Sequence, residues 1–231
     1  MVKELVAGIH HFRTQAFRVH QALFEELAHG QNPDTLFITC SDSRIDPNLL
    51  TNAKPGSLFV LRNAGNIIPA YAGNSGAEIA AIEFAVVGLK VSDIVVCGHS
   101  HCGAMKGLLH PEALTEMPSV ADWLKHSEAT RRIVRSKYKT LHGEDLLGVC
   151  TEENVLVQIE NLQTHPAVAV ALAEGKLSLH AWLYEIESGI VYSYDPAVAQ
   201  FVPLTDSPPE SSGRLRTAMI DMGDARWNLS D

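Results

Sequence analysis

The segment DIVVCGHSHCG, at residues 93–103, joins a short apolar run to residues that can ligate a metal. Its first part, residues 93–97, is rich in β-branched side chains, and this composition predicts a buried strand. His99 and Cys102 follow where that strand should end. In open parallel α/β sheets, ligands bind outside the carboxyl ends of the strands. The segment therefore predicts both a central strand and a functional site at its end.

Two upstream segments repeat this arrangement. Residues 35–39 (TLFIT) run into CSDSR at 40–44, and residues 57–61 (SLFVL) run into RNAGN at 62–66. Each apolar run predicts a buried strand that ends in a polar cluster. Because neighbouring parallel strands present their carboxyl ends at the same edge of a sheet, we expect the three clusters to lie side by side.

Helical periodicity accompanies the strands. Apolar residues recur at steps of three or four along residues 4–29, which predicts an amphipathic N-terminal helix. Residues 177–187 and 190–194 predict a closing hairpin around a Ser-Gly turn. Further helices are predicted over residues 75–89, 119–139 and 152–173. The pattern predicts an α/β fold with a mostly parallel central sheet flanked by helices, and an N-terminal amphipathic helical arm.

Composition excludes several classes of function. The net charge of −9 argues against a nucleic-acid partner, which would need a basic face. No apolar run of about 18 residues predicts a membrane span. The first residues lack the pattern of a signal peptide, and four cysteines are too few for a disulfide scaffold. We therefore expect a cytoplasmic protein.

The composition changes near residue 205. We expect one domain over residues 1–204, followed at 205–231 by a flexible linker and a docking tail. Residues 207–213 are rich in serine and proline, as linkers are. Beyond them, apolar residues recur at helical spacing over 214–229, which suggests a short docking segment. The alternative interpretation is a disordered end.

Three residues at two strand ends form a candidate metal site. Cys40, His99 and Cys102 offer two thiolates and one imidazole, the ligand types that zinc favours. Three protein ligands leave a fourth position open, as a catalytic zinc requires. Taken singly, each residue could instead be a buried small side chain or a core histidine. Cys97 and Cys150 are predicted to be structural, because neither follows a strand end.

These motifs resemble a known family. The sequence CSDSR at 40–44, with GHSHCG at 98–103 and RNAGN at 62–66, resembles the β-class carbonic anhydrases. Within the family the chain is most similar to the cyanobacterial carboxysomal branch, especially through residues 98–109 and 122–132. The resemblance covers about residues 1–204. It implies one zinc ion per subunit at Cys40, His99 and Cys102, and reversible hydration of carbon dioxide to bicarbonate and a proton.

The resemblance also implies a functional pair of Asp42 and Arg44. A carboxylate two residues from a ligand cysteine could bind the metal itself and displace water. A guanidinium can hold a carboxylate with two parallel hydrogen bonds, so Arg44 would keep Asp42 away from the metal. Asp42 would then orient the attacking oxygen. The alternative interpretation is a surface ion pair, which contributes little to stability.

The family pattern extends to the substrate pocket. It places Phe59, Ala64 and Phe84 in the pocket walls and lets Gly103 offer a backbone N–H to bicarbonate. Phe84 stands where plant members commonly have tyrosine, and Ala64 where valine is common. These departures concern the shape of the pocket and leave the reaction unaffected. Apolar walls suit carbon dioxide, which is uncharged and linear.

One further residue separates two subtypes of the family. The subtype with an inhibitory bicarbonate site needs a tryptophan shortly before the first cysteine, and Phe37 occupies that stretch here. The open subtype carries a glutamine that binds substrate, and Gln31 lies at the matching distance before Cys40. The resemblance therefore implies that Gln31 donates a hydrogen bond to a substrate oxygen. The alternative is an ordinary loop residue after a helix.

The resemblance implies partners and a location. The apolar face of the N-terminal helix would pack on a second subunit, giving a homodimer or a higher homo-oligomer. Carbon dioxide and bicarbonate would be the substrates, and a carboxysome scaffold protein a further partner, inside the carboxysome. No nucleic acid or membrane is expected.

Three other functions are compatible with parts of this sequence pattern. A related hydrolase acting on carbon disulfide or carbonyl sulfide could use the same zinc ligands. A scaffold or sensor could have kept the zinc fold without catalysis. A dinucleotide-binding domain is disfavoured, because no G-x-G-x-x-G follows the first strand.

Overall fold

The computed structural model describes residues 1–73 and 76–205, which fold around a six-stranded sheet. Its strand order is β2-β1-β3-β4-β5-β6. The first four strands in this order run parallel, and the last two pairings are antiparallel. The predicted α/β fold with a mostly parallel sheet is confirmed. The strands are β1 (Thr35–Cys40), β2 (Leu58–Asn63), β3 (Asp93–His99), β4 (Ser178–Tyr184), β5 (Val191–Asp195) and β6 (Gln200–Pro203).

The described part of the chain contains ten α-helices, with short π-helical and 3-10 segments between some of them. Phe12–Ala16 and Phe84–Leu89 are π-helical, and Pro111–Leu114 and Lys125–Ser127 are 3-10 turns. The α-helices are α1 (Val2–His11), α2 (Phe17–Val19), α3 (Gln21–Leu27), α4 (Pro47–Thr51), α5 (Ala77–Glu83), α6 (Gly103–Leu109), α7 (Pro118–Leu124), α8 (Glu128–Lys137), α9 (Gly143–Gln163) and α10 (Pro166–Ala173).

The two faces of the sheet are covered differently. Alternate residues of β1 and β3, among them Ile38 and Val96, join a large apolar cluster with Val155 and Ile159 of α9. The intervening residues, such as Phe37, face a smaller cluster on the other side of the sheet. Both faces of the central strands are therefore buried, which explains why their sequences are continuously apolar.

The C-terminal helical region differs in detail from the prediction. The helical pattern expected over 152–173 is two helices, and the first begins earlier, at Gly143. Pro166 causes the break between them, because a residue before proline is disfavoured in the helical conformation. His165 accordingly has an extended backbone, with ψ at 125°. The short helices α4 and α6 and the edge strand β6 were not predicted.

The N-terminal arm, residues 1–29, is helical as predicted but makes few contacts with the domain. No residue of α1, α2 or α3 is buried. Val2, Leu5 and Ile9 are each more than 60% exposed, which leaves an apolar stripe facing solvent. His20 interrupts the helix, with φ at −109°.

The predicted linker and docking tail at 205–231 lies, apart from Thr205, outside the described residues. None of the described helices combines the length and the apolar character that crossing a membrane would require.

Candidate active site

The ends of two neighbouring strands bring the candidate metal ligands together. β1 ends at Cys40 and β3 ends at His99, and the two strands pair in parallel. Cys102 directly precedes α6. One ligand atom of each residue lies within 4.8 Å of the others, and all three residues are buried. The cluster occupies the carboxyl edge of the sheet, where parallel α/β proteins bind their ligands.

The imidazole of His99 is oriented as a metal ligand. Its Nδ1 lies 2.8 Å from the carbonyl oxygen of Ser100, which can only accept a hydrogen bond. The proton is therefore on Nδ1, and Nε2 keeps its lone pair. Nε2 is buried and has no hydrogen-bond partner within the described residues. A buried polar atom without a partner is costly, and a cation between the two cysteines would satisfy it.

Backbone amides surround the two sulfur atoms. The N–H of Gly65 donates to Cys40 Sγ at 3.3 Å. The amides of Met105 and Ala104, in the first turn of α6, hydrogen-bond to the sulfur of Cys102. The neighbouring Cys102 sulfur is the main cause that lowers the pKa of Cys40. Two thiolates and a neutral imidazole fit a soft divalent cation such as zinc.

Asp42 and Arg44 form a bidentate pair beside this cluster. Arg44 Nε donates to Asp42 Oδ1 at 2.9 Å, and Nη2 donates to Oδ2 at 2.7 Å. The guanidinium holds the pKa of Asp42 well below its usual range. Asp42 Oδ2 lies 3.8 Å from His99 Nε2, so the carboxylate is close to the metal-binding position. Arg44 Nη2 also donates to the carbonyl of His101 at 3.1 Å, which ties the pair to the loop after β3.

Arg62 fastens the loop that carries Asp42. Its guanidinium donates to three carbonyl oxygens, those of Cys40 at 3.0 Å, Asp42 at 2.7 Å and Ile45 at 2.9 Å. Arg62 belongs to the RNAGN motif, and the sequence pattern did not predict this role for it. The three carbonyl oxygens converge on one guanidinium because the chain turns directly after β1. The spacing of residues in the sequence does not reveal this turn.

The five candidate pocket residues are not all brought together. Phe59 and Phe84 pack against each other, with ring centroids 5.8 Å apart. Gly103 begins α6 directly after Cys102, and a Cβ there would meet open space. Ala64 directly precedes Gly65, whose amide reaches Cys40. Gln31 is exposed after α3, and no hydrogen bond links it to another described residue.

The side chain of His101, beside the metal-binding cluster, is held between two glutamates. Its Nδ1 lies 2.9 Å from Glu144 Oε2, and its Nε2 contacts Glu187. Glu187 also accepts from Ser100 Oγ at 2.8 Å. The two carboxylates, Glu187 foremost, raise the pKa of the exposed imidazole. Neither glutamate was predicted, because both are distant in sequence from the loop they hold.

The fold and the site together define a class of protein. It is a mostly parallel α/β domain with a buried Cys-His-Cys cluster at the carboxyl edge of the sheet, beside a carboxylate held by arginine. The sequence model of the family described as carbonic anhydrase matches residues 35–191. A carbonic anhydrase of Synechocystis sp. is 55% identical over 202 residues, which span 87% of this chain and 74% of the relative.

Solved structures agree with the sequence match. The structure of the β-carbonic anhydrase CcaA superposes with a TM-score of 0.86 at 55% identity, covering 87% of this chain and 98% of that one. Two tetrameric β-carbonic anhydrases of Sordaria macrospora provide a more distant match. The TM-score of this superposition is 0.74 at 28% identity, and it covers 83% of this chain and 95% of the matched chain.

The chain belongs to the carbonic anhydrase family, in its β class. It is accordingly a carbonate dehydratase, a lyase that hydrates carbon dioxide. The resemblance inferred from the strand-end motifs is confirmed.

Proposed function

We propose that the chain binds one zinc ion per subunit at Cys40, His99 and Cys102 and supplies carbon dioxide for carbon fixation in a carboxysome. The zinc assignment rests on the buried Nε2 of His99, which lies close to two cysteine sulfurs and has no hydrogen-bond partner in the described part of the chain. Bound zinc supplies a Lewis acid that activates water for attack on carbon dioxide. Three protein ligands leave one position for that water.

In this proposal Asp42 accepts a hydrogen bond from the O–H of the attacking oxygen and orients it. Its carboxylate is ionised and held by Arg44 through both oxygens. An acceptor fixed in this way orients a donor O–H without itself swinging onto the metal. The position of Asp42 Oδ2, 3.8 Å from His99 Nε2, is close enough for this role.

The substrate pocket uses the remaining candidates. Phe59, Ala64 and Phe84 provide apolar walls that suit an uncharged, linear substrate. Gly103 offers its N–H to bicarbonate, as backbone amides at a helix start do for anions. Gln31 donates to a substrate oxygen. Its exposed position, after an arm with no buried residue, is compatible with a site completed when subunits associate.

Stopped-flow hydration of carbon dioxide by reduced, zinc-loaded protein tests the proposal. We expect fast turnover with stoichiometric zinc, and loss of both in Cys40→Ala. Cys150→Ala is the matched control: this buried thiol packs in the same apolar cluster as Cys40 and Cys102 but is not one of the three candidate ligands, so zinc should still bind and turnover should persist. Zinc-loaded protein that hydrates no carbon dioxide but hydrolyses carbonyl sulfide would contradict the assignment.

We further propose a homo-oligomer built through the N-terminal arm. Its apolar stripe is exposed, and burying it on a second subunit would be favourable at about 25 cal/mol per Å². The tetrameric relatives support an oligomer.

The carboxysomal location rests on the cyanobacterial relative and on the tail. We propose that residues 205–231 link the enzyme to a carboxysome scaffold protein. Deleting residues 206–231 and following a fluorescent fusion in a carboxysome-forming host tests this. The deletion should leave hydration unchanged and abolish localisation, and normal localisation would overturn the role of the tail.

A further inference from the structure

One peptide group lies between a tryptophan and a candidate metal ligand. Trp123 Nε1 donates to the carbonyl oxygen of Ala64 at 2.8 Å. The N–H of that same peptide, which belongs to Gly65, donates to Cys40 Sγ at 3.3 Å. The peptide is trans, so its carbonyl and its N–H point in opposite directions. The indole and the sulfur therefore occupy the two ends of one dipole.

Hydrogen bonds arranged in this way strengthen one another. An indole donor pulls electron density toward the carbonyl oxygen, and the amide N–H becomes a better donor in consequence. A better donor withdraws more charge from the thiolate that accepts it, because a hydrogen bond to an ionised acceptor is stronger than one to a neutral acceptor. Trp123 thus influences the charge on the Cys40 sulfur without contacting that sulfur.

The amide of Gly65 is fixed in place by its surroundings. Its φ is +83°, and a Cβ would lie 2.9 Å from the Cβ of Ala104, so the position requires glycine. On its other side, Asn154 Nδ2 donates to the carbonyl of Gly65 at 3.0 Å. Asn154 is fully buried. The carbonyls before and after the Gly65 amide are thus both held by side chains of the helical layer.

Trp123 is itself held in position. It lies near the end of α7, and its ring meets that of His126 edge to face, with centroids 5.3 Å apart. The neighbouring Leu124 is buried and anchors the end of this helix to the domain. The direction of the indole N–H is therefore set by the fold.

We propose that Trp123 is a positioning residue for the metal site: through the Ala64–Gly65 peptide, its indole N–H orients and polarises the amide that hydrogen-bonds to the Cys40 thiolate. The inference rests on the proposed metal site at Cys40, His99 and Cys102. It adds a residue that touches neither metal nor substrate.

Cobalt substitution tests the proposal spectroscopically. The holoenzyme is prepared with Co(II) in place of zinc, and the thiolate-to-cobalt charge-transfer band is recorded for wild type, Trp123→Phe and Trp182→Phe. Trp182 is the matched control, because its ring packs against Phe37 on the other face of the sheet. A second variant carries benzothienylalanine at position 123, which keeps the ring shape and removes only the N–H.

Loss of the indole donor should leave the sulfur richer in electrons, so the band should move to lower energy in both variants at position 123. The Gly65 amide would also hold the Cys40 sulfur less firmly in position. We expect this loss of orientation to outweigh the stronger donation by the sulfur, so that zinc release to a chelator becomes faster by about 3- to 10-fold, less than the ~10–100-fold typical when a direct partner of a ligand is removed. The control should match wild type in both measurements.

Three outcomes would overturn the proposal. The band could stay at the wild-type energy in both variants at position 123, or it could shift equally in Trp182→Phe. Failure of wild type to bind cobalt with a thiolate band would overturn the metal site as well. The first two results leave the proposed zinc function intact, so the two failures are distinguishable.

Discussion

Arg44 holds Asp42 by both carboxylate oxygens while donating a third hydrogen bond to the carbonyl of His101. One guanidinium thus joins the loop after β1 to the loop after β3. The carboxylate is fixed 3.8 Å from the unpaired nitrogen of His99.

Arg44→Ala should therefore impair turnover without removing the metal. A free carboxylate beside the site can bind the metal and exclude water, so the hydration rate should fall by about 10–100-fold. Stopped-flow hydration, with zinc measured on the same sample, provides the check. Arg132→Ala is the control, because Arg132 forms an exposed ion pair with Glu128. Wild-type turnover in Arg44→Ala would contradict the role of the pair.

The four cysteines should differ in reactivity once the metal is removed. Burial raises the pKa of Cys97 and of Cys150 to about 12, so almost no thiolate exists there at pH 8. The pKa of Cys40 is lowered and its side chain is slightly exposed. Iodoacetamide should label Cys40 first, and labelling of Cys97 and Cys150 should need a pH raised toward 12. Peptide mass mapping identifies the labelled residues. Zinc should protect Cys40, and labelling of Cys97 before Cys40 would refute this order.

Gly65→Ala should weaken metal binding. The Cβ of alanine at position 65 would collide with Ala104. The backbone φ of +83° at this position is also unfavourable for any residue with a Cβ. The amide would then move away from the Cys40 sulfur, and we expect the affinity for zinc to fall by about tenfold or more. Competition with a chromogenic chelator measures the change.

Gly148→Ala is the control for that experiment. Gly148 lies within α9, and a Cβ there meets nothing within 4 Å. This variant should bind zinc normally and be more stable by about 0.5–1 kcal/mol, as alanine favours a helix over glycine. Equal zinc affinity in the two alanine variants would show that the Gly65 amide does not contribute to zinc binding.

Asn154→Ala should reduce stability strongly. Its Oδ1 accepts from Ser127 Oγ at 3.0 Å and from Gln158 Nε2 at 2.9 Å, and its Nδ2 donates to Gly65. Truncation leaves several buried groups without partners, so the free energy of unfolding should fall by about 2–4 kcal/mol. Urea denaturation measures it. Asn48→Ala, which removes an exposed side chain, should cost about 0.5 kcal/mol or less. A similar small effect at both positions would contradict the network.

Ile9→Glu should shift the protein toward smaller oligomers. Ile9 is 68% exposed on the arm, and a carboxylate there cannot be buried against a second subunit without cost. Size-exclusion chromatography with light scattering determines the mass. Lys3→Glu, which changes charge off the apolar stripe, should keep the wild-type mass. An unchanged mass in Ile9→Glu would argue against assembly through the arm.

The central strands and the cluster at their ends could be predicted because buried parallel strands have continuous apolar sequences. β1 and β3 were each located to within two residues of their observed ends. β6 was missed because it is an edge strand with exposed ends. The start of α9 was missed because Gly143 and Gly148 lie in it, and glycine is a poor helix former.

The supporting residues of the site were missed for another reason. Arg62, Trp123 and Glu187 act on backbone groups or side chains that lie far from them in sequence. Their residue types carry no spacing signal. Such contacts become visible only when the loops are placed in three dimensions.

The parallel pairing of β1 with β3 also sets the order in which the enzyme matures. Cys40 and His99 are joined through a crossover that includes β2 and α5, so they meet only after a slow, non-local step of folding. A chain that has not completed this step brings together only the closely spaced His99 and Cys102, two of the three candidate ligands. Metal binding should consequently be a late event that follows the pairing of these two strands.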